Sequence, residues 1–165
     1  MKRLHLLRHA KSAWDDPGLD DRERGLNKRG RRDGLLMGAA LSELLEPTAI
    51  SVSVARRAQH TLAALCDAWP ALAAMEHSED EELYTFHSDN LVRWIARQNN
   101  SLNSAFIIGH NPALTDLINT LLGRVAIANL PTAGYVQLAL DIDQWGQLLH
   151  CVPSLEYHLF PKHLK

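Results

Sequence analysis

Three apolar runs in this sequence end in side chains that handle anions. Arg3 to Leu7 leads into Arg8-His9-Ala10-Lys11-Ser12, and Ala49 to Ser53 leads into Val54-Ala55-Arg56-Arg57-Ala58-Gln59-His60-Thr61. Ala105 to Ile108 leads into Gly109-His110-Asn111-Pro112. Arginine presents a planar, permanently charged fork that matches phosphate oxygens two at a time. A helix starting beside Arg57 adds unpaired backbone N–H groups that favour the same anion. An imidazole carries an unprotonated nitrogen near neutral pH, so a histidine can attack phosphorus and later return the phosphoryl group to water. A second histidine, held as imidazolium, would stabilise charge on the equatorial oxygens of the transferred group. That chemistry requires no metal or other cofactor. A lone histidine after a strand, or an arginine pair at a helix start, is usually structural. Three such sets at three strand ends are harder to dismiss.

The elements that must position these groups can be read from periodicity. Arg3 to Leu7 is a short apolar run suited to a buried strand. A long polar loop follows from Arg8 to Leu26, punctuated by Asp15-Asp16-Pro17-Gly18. Loops of that length in a compact domain tend to be functional. Asn27 caps a helix that runs to about Glu46, with Leu35, Leu36, Ala39, Ala40, Leu41, Leu44 and Leu45 as its apolar stripe and Pro47 beyond its end. A strand over 49–53 and a helix over 57–69 come next, the latter with Leu62, Leu65, Cys66 and Trp69 on its inner side. A helix over 89–98, the strand over 105–108 and a helix over 114–122 follow. The stretches 133–140 and 148–152 read as a hairpin around Asp143-Gln144-Trp145-Gly146. Strands alternating with amphipathic helices predict an α/β fold, a mostly parallel sheet covered by helices on both faces. In such sheets ligands bind outside the carboxyl ends of the strands, where the three residue sets lie.

The 165 residues are 46% hydrophobic and 22% charged, which fits one globular domain over 1–165 and argues against disorder. The net charge of −2 argues against a general nucleic-acid binder. It conceals an asymmetry, because residues 1–33 hold ten Lys or Arg against six Asp or Glu. Such a block is commonly a solvated face, or it converges on an anion. Two cysteines, Cys66 and Cys151, are too few for a disulfide framework and suit a reducing compartment. No apolar run approaches the ~18 residues of a membrane span, and the N-terminus lacks the pattern of a signal peptide. A cytoplasmic protein is the expectation.

Taken in order, these motifs resemble the histidine phosphatase (phosphoglycerate mutase-like) superfamily, and within it the small SixA-like phosphohistidine phosphatases. The first motif stands as Leu7-Arg8-His9-Ala10, and the second, usually Arg-Pro-Leu, as Arg24-Gly25-Leu26 followed by Lys28-Arg29-Gly30. The third, Ser-x-x-x-Arg-Ala-x-Gln-Thr, stands as Ser53 to Thr61, and the fourth is intact as Gly109-His110-Asn111-Pro112. The resemblance implies a three-layer α/β/α sandwich and a phosphatase working through a phosphohistidine intermediate. It implies His9 as the nucleophile, with Arg8, Arg57 and His110 completing a phosphate pocket and Arg24 reaching in from the long loop. The family arginine lies four residues after the serine and directly before alanine, which selects Arg57 over Arg56. The implied partner is phosphohistidine on a phosphotransfer or signalling protein, or else a small phosphorylated substrate, with inorganic phosphate as product.

Gly25 replaces the usual proline, which would free the loop holding Arg24. His60 replaces glutamine, either neutrally or as a third imidazole near the pocket. Glu81 and Glu82, in the acidic run Glu79-Asp80-Glu81-Glu82, are candidates for the general acid; a solvated acidic turn explains them equally well. A phosphorylated imidazole leaves more readily than an alkoxide, so a weak or missing acid favours phosphohistidine over esters, for which an acid is worth about 10²- to 10⁴-fold. A small-molecule phosphomonoesterase using Glu81 or Glu82, and a binding module without turnover, are the competing readings. His5, His77, His87, His150, His158 and His163 lack metal-ligand spacing and read as surface or satisfied core positions. Asp15-Asp16 and Asp20-Asp21 read as turn residues or a cation site, and Trp14 as a pocket wall or loop anchor.

Overall fold

A computed structural model describes all 165 residues. The strands are β1 (Lys2–Arg8), β2 (Ser51–Ser53), β3 (Ser78–Asp80), β4 (Ser104–Gly109), β5 (Tyr135–Leu140) and β6 (Ser154–Leu159). The helices are α1 (Lys28–Leu44), α2 (Arg56–Ala68), α3 (Pro70–Ala73), α4 (Ser88–Ala96) and α5 (Ala113–Leu122). One six-stranded sheet runs in the order β3-β2-β4-β1-β5-β6. β3, β2, β4 and β1 pair in parallel, and β5 runs antiparallel to both β1 and β6. The fold is therefore mixed α/β with a mostly parallel sheet, as the periodicity predicts.

Alternation along the strands makes two cores. Leu4 and Leu6 of β1 join Ile107 of β4 and Val136 and Leu138 of β5 under α4 and α5. Leu7, Phe106, Ile108 and Tyr135 face the other way, against α1 and α2. A strand buried on both faces must be apolar at consecutive positions, which is why β1 and β4 read as unbroken runs. The one polar residue within Leu4–Leu7, His5, stacks on Phe106, and its Nδ1–H donates at 2.6 Å to the Tyr135 hydroxyl, which itself donates to Gln137. It is a satisfied core histidine. His77 is similar: Nδ1 accepts from the Ile50 N–H at 3.0 Å while Nε2 donates to the Leu72 carbonyl at 2.8 Å.

Three local expectations change. The buried face of α1 is Gly30, Asp33, Gly34, Met37, Gly38 and Leu41, whereas Ala39 and Leu44 are exposed. Small residues repeated every fourth position let α1 lie so close to α2 that a Cβ at Gly34 would stand 2.7 Å from the Ala64 Cβ. The hairpin is formed by β5 and β6, and 145–150 is a 3₁₀ turn. Trp145 and Leu148, both buried there, are spaced three apart, a helical rather than a strand period. The acidic stretch supplies β3, an edge strand whose pairing to β2 runs through backbone groups.

Candidate active site

Sheet order brings the three residue sets together. β2, β4 and β1 are parallel neighbours, with Val52 in register with Ile108 and Arg8 with Gly109. Their carboxyl ends therefore bring Ser53, His110 and Arg8-His9 to one edge of the sheet, and Arg57 stands in the first turn of α2 just beyond. Backbone bonds lock the first strand's exit: His9 N–H donates to the Gly109 carbonyl at 3.1 Å, and Ala133 N–H is shared between the carbonyls of Arg8 and His9. The Ala10 N–H donates to the Thr61 hydroxyl at 2.9 Å, which ties this strand end to α2.

His9 is 7% exposed and its Nδ1 lies 2.7 Å from the Ala10 carbonyl. A carbonyl can only accept, so Nδ1 carries the proton. Burial, opposed in part by that hydrogen bond and reinforced by Arg57, Arg8 and Arg24, pushes the His9 pKa down to about 3. At neutral pH the ring is uncharged and Nε2 keeps its lone pair. That is the protonation state a nucleophile needs.

His110 lies beside it, the two ring centroids 5.2 Å apart. Its Nδ1 faces Arg57 Nη2 at 3.4 Å and its Nε2 faces the Ser53 hydroxyl at 2.8 Å. Burial, then the nearby His9 and Arg57, push its pKa down to about 3 as well. The expectation of a resident imidazolium is therefore not met. Enclosure among cations disfavours a further positive charge, and only a phosphoryl dianion at the same spot would reverse that balance. Tyr84 and Phe86 pack against the outer side of the ring at 5.4 and 5.6 Å.

Three arginines surround the histidines. Arg57 is 3% exposed and faces inward, whereas the Arg56 side chain is 53% exposed and lies 3.6 Å from Glu23. The structure thus follows the register counted from Ser53. Arg8 Nη1 donates to the Leu130 carbonyl at 3.0 Å, while its buried Nε makes no hydrogen bond within the protein. Arg24 is 8% exposed, donates to the Ser12 hydroxyl at 2.7 Å, and lies 3.6 Å from the Trp14 ring centroid. Trp14, itself 70% exposed, covers the Arg24 guanidinium through this cation–π contact. The loop folds back on itself through the Ser12–Leu26 bridge and an Ala13 N–H to Gly25 carbonyl bond of 2.9 Å.

The two departures from the family pattern touch each other. A Cβ at position 25 would stand 2.8 Å from the His60 ring, so the missing side chain of Gly25 is the space that His60 occupies. His60 is exposed and lines a neighbouring groove of about 370 Å³ with Asn27, Lys28 and Arg31. It is not a third imidazole in the cluster.

Glu81 and Glu82 do not join the cluster either. Glu81 receives both Arg22 Nη atoms at 2.8 Å and its side chain is 67% exposed; Glu82 pairs with Arg97 on the surface. The Arg22 hydrogen bonds hold Glu81 below the usual carboxylate range, which makes it a poor proton donor. The carboxylate that does reach the arginines is Asp21, which contacts both Arg24 and Arg57. Sequence reasoning set it aside as a turn residue. Its one visible signal is its position three residues before Arg24 in the functional loop.

The sequence model of the histidine phosphatase superfamily (branch 1) matches residues 4–91. An uncharacterized protein of Mycobacterium tuberculosis is 34% identical over 112 residues, which cover 67% of this chain and 66% of that protein. Among solved structures, SixA from Agrobacterium tumefaciens superposes with a TM-score of 0.79 at 26% identity, covering 96% of this chain and 97% of its own. The protein histidine phosphatase SixA complexed with tungstate has a TM-score of 0.78 at 21% identity over 99% of both chains. A mycobacterial glucosyl-3-phosphoglycerate phosphatase has the same fold, with a TM-score of 0.71 at 15% identity over 95% of this chain and 98% of its own.

Proposed function

The chain belongs to the histidine phosphatase superfamily, and on that premise we propose that residues 1–165 form one metal-independent phosphatase domain whose nucleophile is His9. The observation that carries the reading is the neutral, buried His9, with Nδ1 committed to the Ala10 carbonyl and Nε2 free among Arg8, Arg24, Arg57 and His110. In the first step Nε2 attacks phosphorus and the bond from phosphorus to the leaving group breaks. In the second, water attacks the phosphoryl group on His9, releasing inorganic phosphate and restoring the imidazole. The three guanidinium groups supply the positive charge that a metal supplies elsewhere, from fixed positions that need no reorganisation. The tetrahedral oxyanion tungstate, held by a SixA of the same fold, is the shape of ligand such a cluster would take.

The substrate class follows from the acid. Glu81 and Glu82 are held in surface ion pairs, so an ester leaving group would find no well-placed proton donor there. A phosphorylated imidazole needs less help, which favours phosphohistidine on a cytoplasmic phosphotransfer or signalling protein. Intact Arg8, His9, Arg57 and His110 weigh against a binding module, since binding alone needs no nucleophile. The test is turnover on a phosphohistidine peptide and on sugar phosphates, with acid-labile, base-stable label trapped on the protein. His9→Ala should lower turnover by at least about 10³-fold and abolish the trapped label. Label persisting in that variant, or a clear preference for sugar phosphates, would overturn the respective half of the reading.

A further inference from the structure

The arginines of the cluster already hold an anion, and it belongs to the protein. Asp21 Oδ1 accepts from Arg24 Nη2 at 2.8 Å, and Oδ2 accepts from Arg57 Nη2 at 2.9 Å. Arg57 Nη1 donates to the Asp21 carbonyl at 2.7 Å, and the Tyr84 hydroxyl donates to Oδ2. One carboxylate thus offers two forked guanidinium groups the pattern of oxygens that a phosphoryl group would offer. From this geometry we infer that Asp21 is the resident counterion of the pocket, an internal competitor that a phosphoryl group must displace from Arg24 and Arg57. The inference rests on reading this cluster as a phosphate site.

The two sides of the contact are unequally held. The Arg57 side chain is 3% exposed and springs from the first turn of α2, so its place is set by the core. Asp21 belongs to the three-residue 3₁₀ turn 21–23, which has no side-chain cap, and its side chain is 43% exposed. Displacement therefore moves a loop carboxylate toward water and leaves the Arg57 guanidinium in place, while Arg24, next to the same turn, keeps its bond to the Ser12 hydroxyl. Partial burial would raise the Asp21 pKa, but hydrogen bonds from Tyr84, Arg24 and Arg57 outweigh it and hold the carboxyl well below its usual range. The competitor is charged at every physiological pH.

A competitor of this kind lowers the apparent affinity of every ligand that needs the same donors by the fraction of molecules in which it is displaced. Substrate and inorganic phosphate are weakened by the same factor. The use is in product release: as phosphate departs, Asp21 returns to Arg24 and Arg57, so a pocket of three arginines does not stay loaded with product.

The sign of one substitution separates this from a scaffolding role. Asp21→Asn keeps the size and can still accept from Tyr84, but it loses the charge. Competition predicts that the inhibition constant for inorganic phosphate, and KM for the phosphorylated substrate, both fall at least tenfold. A residue that merely props Arg24 and Arg57 in place predicts that both rise. Either a rise or no change would overturn the inference. A structure of the parent chain with tungstate is the second measurement: the Asp21 carboxylate should have left both guanidinium groups, and a carboxylate still bonded to them beside the bound oxyanion would refute displacement. If parent and variant alike bound neither phosphate nor tungstate, the phosphatase reading would fall, and this inference with it.

Discussion

Replacing Ser53 by alanine removes a single oxygen from the deepest part of the cluster. Ser53 has no exposure, and its hydroxyl meets His110 Nε2 at 2.8 Å while accepting from the Ala55 N–H at 3.2 Å. Arg57 can only donate to His110 Nδ1, so in this structure Nε2 carries the ring proton and donates to Ser53. When a phosphoryl group takes Arg57, the same hydroxyl can turn and donate to Nε2, which leaves Nδ1–H to face the phosphoryl oxygens. Ser53→Ala leaves two buried polar groups without partners, each worth about 1–3 kcal/mol. Taking the longer Ala55 bond at the low end, stability should fall by about 3 kcal/mol, or roughly 10 °C in Tm for a chain of this size. Loss of the tautomer control should lower kcat by about 10- to 100-fold, or ~1.4–2.7 kcal/mol in the barrier. Thermal unfolding and steady-state kinetics at a temperature where the variant is fully folded measure the two effects separately. A variant with Tm within ~2 °C and kcat within about twofold of the parent would refute the reasoning outright. A lower Tm with unchanged kcat would make Ser53 a residue of the fold and remove it from the chemistry.

Arg57→Ala should weaken inhibition by inorganic phosphate about 10- to 100-fold, the worth of charge-assisted hydrogen bonds, while Arg56→Ala should change it less than twofold; equal effects would overturn the assignment of the inward arginine. His5 is pushed down to about 4 by burial, Arg3 adding to it, and His9 and His110 to about 3. All three are neutral when folded, and the unfolded chain binds the extra protons below about pH 6.5. Stability is therefore fully present above that pH and lost as pH falls, by about 1.4 kcal/mol per unit for each histidine, or on the order of 4 kcal/mol per unit near pH 5. Denaturant unfolding at pH 7.5, 6 and 5 checks this, and a flat profile would contradict it. A Cβ at Gly30 would stand 2.1 Å from the Lys11 carbonyl, and one at Gly34 2.7 Å from the Ala64 Cβ. Each Gly→Ala change should destabilise by about 1–3 kcal/mol, but Gly30→Ala should also lower activity because it pushes on the loop that follows His9. Activity lost equally in both variants would deny that local effect.

Much of the site was legible before any coordinate. Strand ends are marked by apolar runs that stop, and a parallel sheet puts those ends on one edge, so Arg8, His9, Arg57 and His110 could be grouped from order and spacing. The Asn27 cap was legible for the same local reason: its side chain accepts from the Gly30 N–H at 2.8 Å, three residues on. The choice between Arg56 and Arg57 rests on the family resemblance, whose motif sets the arginine four residues after Ser53; a helix start turns successive side chains to different sides, and the fold buries Arg57 and exposes Arg56.

What tertiary structure alone decided is what depends on contacts far apart in sequence. The face that α1 buries is set by how closely α2 approaches: it keeps Leu41 of the expected stripe, and close approach selects Gly34 and Gly38 over Leu35, Leu36 and Leu44. The space that lets His60 sit against Gly25 exists only once loop and helix meet. The charge of His110 could not be read from its motif, because it follows from burial beside His9 and Arg57. Asp21 looked like a turn residue because its partners, Arg57 and Tyr84, lie 36 and 63 positions away. Periodicity and motif spacing report what a residue does to its own segment. Protonation, close packing and ion pairing are set by the neighbours that the folded chain supplies.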